Sequence, residues 1–401
     1  MPLPRARLST TVVMVLFGLG ASVLGTGVLG AGVFRENVPP ARPSSTSAVL
    51  ARLVSPGGAP AAALLSRTAA SSRFETAGSG IRRADRFRAG SITKTVVATV
   101  VLQLAAEGEL ALSDTVESHL PGLVRGHGND GRLLTLRDLL RHTSGLYDYT
   151  RAGSTPSTPS TPSAPSAPSG LSPAATGSAS GPAPPVVLTA PATALAAVRT
   201  AIARPPGPLG SYAYSNTDYV LLGLIIERVT GRPYAVEAQL RVIAPLGLTG
   251  TSFPGGRTAL PAPHGRAYSR APEGGGKLRD VTELDPRPAG AAGELISTLD
   301  DLDRFSTALL NGDLLPPSEL RELLDTDATQ GRYGLGVYPR RLSCGITVWG
   351  HNGRIAGSYV RTAATPDGRH AFSFRINTDT LADGSLDTLE GALLEAEFCR
   401  T

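Results

Sequence analysis

The segment FRAGSITK, residues 87–94, sets a serine, Ser91, three positions before a lysine, Lys94, in a chain that otherwise hardly uses lysine. Of its 38 Lys and Arg residues, only Lys94 and Lys277 are lysine. Arginine stays charged at any accessible pH, whereas surroundings can push a lysine amine toward neutrality, so arginine cannot replace lysine in proton transfer. A serine hydroxyl is a poor nucleophile until a neighbouring base accepts its proton. Ser91 and Lys94 together are therefore a candidate nucleophile and proton carrier. Ser-x-x-Lys alone is a weak signal. Two further groupings add to it: Tyr214-Ser215-Asn216, and His351-Asn352-Gly353.

The elements that must position these residues are legible in outline. The run ITKTVVATVVLQLAAEGEL predicts a helix starting near Ser91 and ending at Gly108, with apolar residues on nearly all sides, as in a helix buried between layers. Ser91 then sits at the helix N-terminus, which favours negative charge, with Lys94 one turn on along the same face. Residues 134–149 read as a helix closing on Gly145, in which His142 is structural and bonds the turn at Ser144-Gly145. A Gly- and Tyr-rich loop carries Tyr214 into an apolar helix that ends at Thr230-Gly231. Residues 263–280 read as a loop or hairpin, and a helix capped by Ser297 or Thr298 follows, its acids being helix-start charges. Strand-like runs at 333–339, 344–353, 357–366 and 371–377 precede a last helix, a pattern that predicts an antiparallel sheet covered by helices.

Composition narrows the function classes. With 41% apolar and 18% charged residues the chain is ordinary for a globular protein, but its 46 Gly and 33 Pro point to added low-complexity sequence. That excess falls partly in the Ser/Thr/Pro/Ala tract 151–187, read as a disordered insertion. The net charge of +5 comes from scattered arginines without interleaved aromatics, so nucleic acid is not an expected partner. Arg5 and Arg7 precede an uncharged stretch, residues 8–34, that reads as an export signal, or as a membrane anchor since it reaches the ~20 residues needed to span a bilayer. Residues 35–47 read as a linker, and the body beyond is expected to be extracellular or at the cell surface. Cys344 and Cys399 suit an oxidising compartment, where they pair or stay as two buried thiols. They form no metal-ligand cluster.

The chain resembles the serine D-alanyl-D-alanine carboxypeptidases related to class C β-lactamases, in the branch that uses His-x-Gly where others use Lys-Thr-Gly. The resemblance runs through most of residues 48–401, in the blocks FRAGSITK, LLRHTSGLYDYT, YSNTDYVLLGLIIERVTG, GELISTLDDLDRF, YGLGVYPRRLSCGITVWGHNG and EFC. It implies an α/β plus all-α, β-lactamase-like DD-peptidase fold. An antiparallel sheet with flanking helices comes from residues 48–125 and 285–401, a mostly helical lobe from 126–284, and the site lies between them. It implies that Ser91 is acylated, that Lys94 and Tyr214 share proton transfer, and that Asn216 and the strand of His351, Asn352, Gly353 and Arg354 hold the substrate. Lys94 acts either as the base or as the cation that lowers the pKa of Tyr214. The backbone N–H groups of Ser91 and Arg354 are expected to form the oxyanion hole. Asn352 stands where relatives commonly have Thr, and Arg354 where a small hydroxyl residue is frequent, so Arg354 is expected to contact the substrate carboxylate by a charge-assisted bond.

The implied activity is an exported, monomeric carboxypeptidase that removes terminal D-alanine from peptidoglycan stem peptides without metal or organic cofactor. β-Lactams would acylate Ser91 as mimics. A β-lactamase, an esterase of the same fold and a penicillin-binding sensor without turnover are the alternatives.

Overall fold

A computed structural model describes residues 45–54, 56–152, 193–270 and 277–399. The export segment, most of the linker and nearly all of the 151–187 insertion lie outside them. Seven strands, β1 (Ala61–Thr68), β2 (Ser72–Gly78), β3 (Tyr338–Arg341), β4 (Thr347–Gly350), β5 (Asn352–Ile355), β6 (Ser358–Ala364) and β7 (His370–Ile376), form one sheet in the order β2-β1-β7-β6-β4-β3. All pairs are antiparallel. The strand β5 pairs with the part of β6 that β4 leaves free, and His351 sits at the break between β4 and β5. The carbonyl of His351 still accepts the Thr362 N–H at 3.0 Å, which keeps both short strands in line against β6.

The strand β1 is buried on both faces, which explains why it reads as an unbroken apolar run. Ala62 and Leu64 face one side with Tyr359, Phe372 and Phe374, under helices α1 (Ser45–Leu53) and α7 (Leu386–Phe398). Ala61, Ala63, Leu65 and Val360 face the other side, in a cluster that includes α2 (Ile92–Ala106) and α6 (Leu299–Leu310). The helices α3 (Leu136–Leu140), α4 (Ala194–Ile202) and α5 (Asn216–Thr230) extend that cluster away from the sheet. Because α2 lies between them, it buries residues on every side, Lys94 included. Among the described residues no helix is long and apolar enough to cross a membrane.

Several expected boundaries move. The first helix already begins at Ser45, inside the stretch read as linker. Thr298 is the cap of α6, its hydroxyl accepting the Asp301 N–H. Residues 268–270 and 278–280 do pair as antiparallel strands. The largest correction is at 134–149, where α3 spans only five residues, after a capping box of Thr135 and Asp138. His142 takes a left-handed φ of 60° and the helix does not resume. The hydroxyls of Thr143 and Ser144 bond to Asp138 and Asp218, an alternative to helix that short polar side chains offer the backbone. Cys344 and Cys399 are joined as a disulfide that ties the loop between β3 and β4 to the end of α7.

Candidate active site

Ser91 is the N-cap residue of α2 and is almost fully buried. The turn that delivers it is pinned from two sides. Ala89 N–H donates to the Leu295 carbonyl at 2.7 Å, and Leu295 N–H donates to the Thr93 hydroxyl at 3.0 Å. On the other side the turn lies directly on β5. A Cβ at Gly353 would be 1.9 Å from the Ala89 carbonyl oxygen, and one at Gly90, which has φ +53°, would be 2.8 Å from the Arg354 nitrogen. Both positions therefore need glycine. Their close approach sets the backbone amide of Arg354 against the residue that precedes the nucleophile, where an oxyanion donor is needed.

Lys94 is fully buried, and its Nζ has three oxygen partners: Ser91 Oγ at 3.1 Å, Asn216 Oδ1 at 2.8 Å and the Ala292 carbonyl at 2.6 Å. Burial pushes its pKa down to about 7, against the opposing pull of Asp148 and Asp218. A neutral amine has two hydrogens and one lone pair. With the hydrogens given to Asn216 and Ala292, the lone pair is left for the Ser91 hydroxyl. The Tyr214 hydroxyl donates to Ser91 Oγ at 3.0 Å. Burial holds Tyr214 well above the ordinary tyrosine range, so it stays a phenol at neutral pH. Ser91 thus sits between a group that can take a proton and a group that can give one. Acylation of Ser91 is accordingly expected to quicken as pH rises through about 7, where the ammonium loses its proton. Second-order acylation rates measured from pH 5.5 to 8.5 check this, and a flat profile would contradict it.

The structure brings Asn216 to Lys94, but both ends of its amide are engaged by protein. Its Nδ2 donates to Asp148 Oδ2 at 3.1 Å and to the Thr150 hydroxyl at 3.3 Å. The side chains of the His351 strand depart further from expectation. His351 Nδ1 donates to the Asn352 carbonyl at 2.5 Å and Nε2 accepts the Tyr333 hydroxyl at 2.8 Å, which occupies both nitrogens. Burial and Lys94 lower its pKa to about 3, so the ring is neutral. Asn352 turns toward the α7 side of the sheet, where its amide donates to Tyr359 OH at 3.3 Å. Arg354 lies on that same side, its guanidinium 5.3 Å from the Tyr359 ring centre and 4.0 Å from Asp387 of α7. The contact expected between Arg354 and a substrate carboxylate is thus not what its side chain makes. The cause is strand alternation: Gly353 faces Ala89, and its two neighbours must face away.

Three members of the site escaped the sequence reading. The Ala292 carbonyl is main chain and has no sequence signature. Asp148, which holds Asn216, lies in the block LLRHTSGLYDYT, which carries the resemblance but gives Asp148 no role, and Tyr333, which holds His351, lies in a segment that reads as strand. Among the described residues no group of three or more His, Cys, Asp or Glu is gathered in a way that could hold a metal ion.

Comparison with known proteins agrees with this geometry. The chain superposes on the crystal structure of a D-stereospecific amidohydrolase from Streptomyces sp. with a TM-score of 0.74 and 39% identity, covering 89% of this chain and 98% of that one. It is 29% identical to Esterase EstB of Burkholderia gladioli over 292 residues, 66% of each chain. It is 27% identical to Penicillin-binding protein 4 of Amycolatopsis lactamdurans over 270 residues, 66% of this chain and 61% of that protein. The chain thus spans less than two thirds of the length of either curated relative. With residues 48–395 matching the family model described as Beta-lactamase, the chain belongs to the β-lactamase and penicillin-binding family of serine hydrolases.

Proposed function

We propose that this protein is an exported serine amidohydrolase that cleaves an amide or peptide bond on the carbonyl side of a D-configured residue, through an acyl-enzyme on Ser91. The observation that carries this reading is the direction of Asn352 and Arg354. Both turn toward Tyr359 and α7, so the strand offers backbone and no charged side chain to the leaving group. A leaving group without a free carboxylate suits such a strand better than a terminal D-alanine does. The 39% identity to a D-stereospecific amidohydrolase, over nearly all of that chain, supports the same choice.

In the first step neutral Lys94 takes the Ser91 proton as Oγ attacks the carbonyl carbon, and the oxyanion is met by the N–H groups of Ser91 and Arg354. Tyr214 gives its proton to the leaving nitrogen as the C–N bond breaks, and the proton taken by Lys94 restores the phenol. Water then attacks the ester by the reverse of these transfers and frees Ser91. β-Lactams, whose ring amide opens by the same attack, would acylate Ser91. Export is supported by Arg5, Arg7 and the apolar residues 8–34, and by the Cys344–Cys399 disulfide, which suits an oxidising compartment.

Removal of D-alanine from peptidoglycan stems is the second reading, favoured by the similarity to a penicillin-binding protein. One experiment separates the two. A diacyl-D-Ala-D-Ala peptide is offered with a free C-terminal carboxylate and, in parallel, as the C-terminal carboxamide, with Ser91→Ala as control. Faster cleavage of the carboxamide supports the amidohydrolase. Preference for the free acid restores the carboxypeptidase, and hydrolysis that persists in Ser91→Ala overturns both.

A further inference from the structure

The buried turn of residues 142–145 is fastened to the loop that carries Tyr214 in two ways. Along the backbone, the carbonyls of His142, Thr143 and Gly145 accept the N–H groups of Ala213, Gly210 and Gly207, each at 2.8 Å. The turn therefore acts as a template for residues 207–213, up to the residue before Tyr214. Through side chains, Asp218 in the first turn of α5 reaches back, its Oδ2 lying 2.8 Å from His142 Nδ1 and its Oδ1 accepting the Ser144 hydroxyl at 2.5 Å. Tyr214-Ser215-Asn216 is thus tied to one turn at both ends.

The imidazole of His142 also touches Tyr214 itself. The two ring centres are 4.3 Å apart with planes tilted by 42°, while Tyr333 and Tyr219 close the other sides at 4.9 and 5.2 Å. His142 is fully buried, and its Nε2 makes no hydrogen bond among the described residues. A buried polar atom without a partner is costly, and an apolar ring would fill the same space without that cost. What the imidazole has and a phenyl lacks is Nδ1, which lies against Asp218 at 2.8 Å and accepts the Ser215 N–H at 3.4 Å, and these contacts fix how the ring is turned. Burial holds His142 well below its ordinary pKa range, so the imidazole brings no positive charge beside Lys94, and it raises Asp218 above the ordinary carboxyl range.

We propose that His142 is a positioning residue for Tyr214: Asp218 sets the angle of the imidazole, and the imidazole face sets where the Tyr214 hydroxyl points beside Ser91. The inference rests on the proposed acyl-enzyme chemistry, in which Tyr214 supplies the proton for the leaving group. If Tyr214 is misaimed, a leaving group that needs a proton must suffer more than one that does not.

The test compares a p-nitrophenyl ester and a p-nitroanilide of the same D-amino acid as substrates for the wild type, His142→Phe and Asp218→Asn. Phenylalanine keeps a ring in place without the tether, and asparagine keeps the volume of Asp218 in case the first variant folds poorly. The nitrophenolate leaves without protonation, whereas the anilide nitrogen must be protonated. The expected result is a fall in kcat/KM for the anilide of about tenfold or more, a part of the ~10²–10⁴-fold that a positioned general acid supplies, with a much smaller fall for the ester. Equal losses on both substrates, or no loss on either, would overturn the proposal. Should the wild type cleave only the ester, the amidohydrolase reading fails. The comparison is then made between the ester and acylation by benzylpenicillin, whose ring nitrogen also needs a proton, and the same two outcomes decide it.

Discussion

Replacing Lys94 by arginine is expected to lower acylation of Ser91 by about 10²–10⁴-fold, the scale of a lost general base. The loss is protonic and not only steric. Arginine keeps a positive charge in the same place but cannot lose its proton, so the lone pair that the Asn216 and Ala292 contacts reserve for Ser91 never forms. The slot is fully buried, so the longer guanidinium also crowds it. Lys94→Met separates these effects, since it keeps an unbranched side chain one atom shorter and removes the amine without adding volume. Both variants are expected to fold, checked by circular dichroism, and to fail in labelling by a fluorescent penicillin. Labelling by Lys94→Arg at a rate close to the wild type would mean that Lys94 serves as a cation and not as the base.

Gly353→Ala is expected to reduce kcat by about 10²–10³-fold, as loss of one oxyanion donor does. The added methyl group would meet backbone: the Ala89 carbonyl oxygen at 1.9 Å, its carbon at 2.9 Å, and the Val360 side chain at 3.1 Å. Either β5 or the turn of residues 89–91 must retreat, and the amides of Ser91 and Arg354 then cease to converge. Asn352→Ala next to it removes more atoms but should change kcat little, because that amide faces Tyr359 on the far side of the sheet. Steady-state kinetics on the two neighbours checks the contrast. Equal effects would mean that Asn352 reaches the substrate after all.

The sequence was most legible where one periodicity ran long. The helix read from Ser91 to Gly108 is α2, Ile92–Ala106, and the one read to Thr230-Gly231 is α5, closed by Gly231 in the left-handed conformation. The antiparallel sheet was likewise readable, because strand runs between turn residues are frequent in the last third of the chain, whereas the β-lactamase-like fold was implied only by the resemblance of the motif blocks. The turn at residues 142–145 was not readable, since its departure from helix depends on hydroxyl contacts to Asp138 and to Asp218, the latter 74 residues away from Ser144. The direction of Asn352 and Arg354 was within reach. Once His351-Asn352-Gly353-Arg354 is read as strand, period-two alternation sends Gly353 to one face and its neighbours to the other. The engagement of both His351 nitrogens had no local sign, because Tyr333 comes from a separate segment.

A covalent bond to Ser91 is central to the proposed chemistry, and mass spectrometry of the protein trapped with a penicillin detects it most directly. Trypsin would cut after Arg88 and Lys94 and release the peptide AGSITK, residues 89–94. This peptide alone is expected to carry the added mass, and Ser91→Ala to carry none. A folded protein that hydrolyses amides without an adduct on that peptide, or whose Ser91→Ala variant still takes up the label, would contradict it.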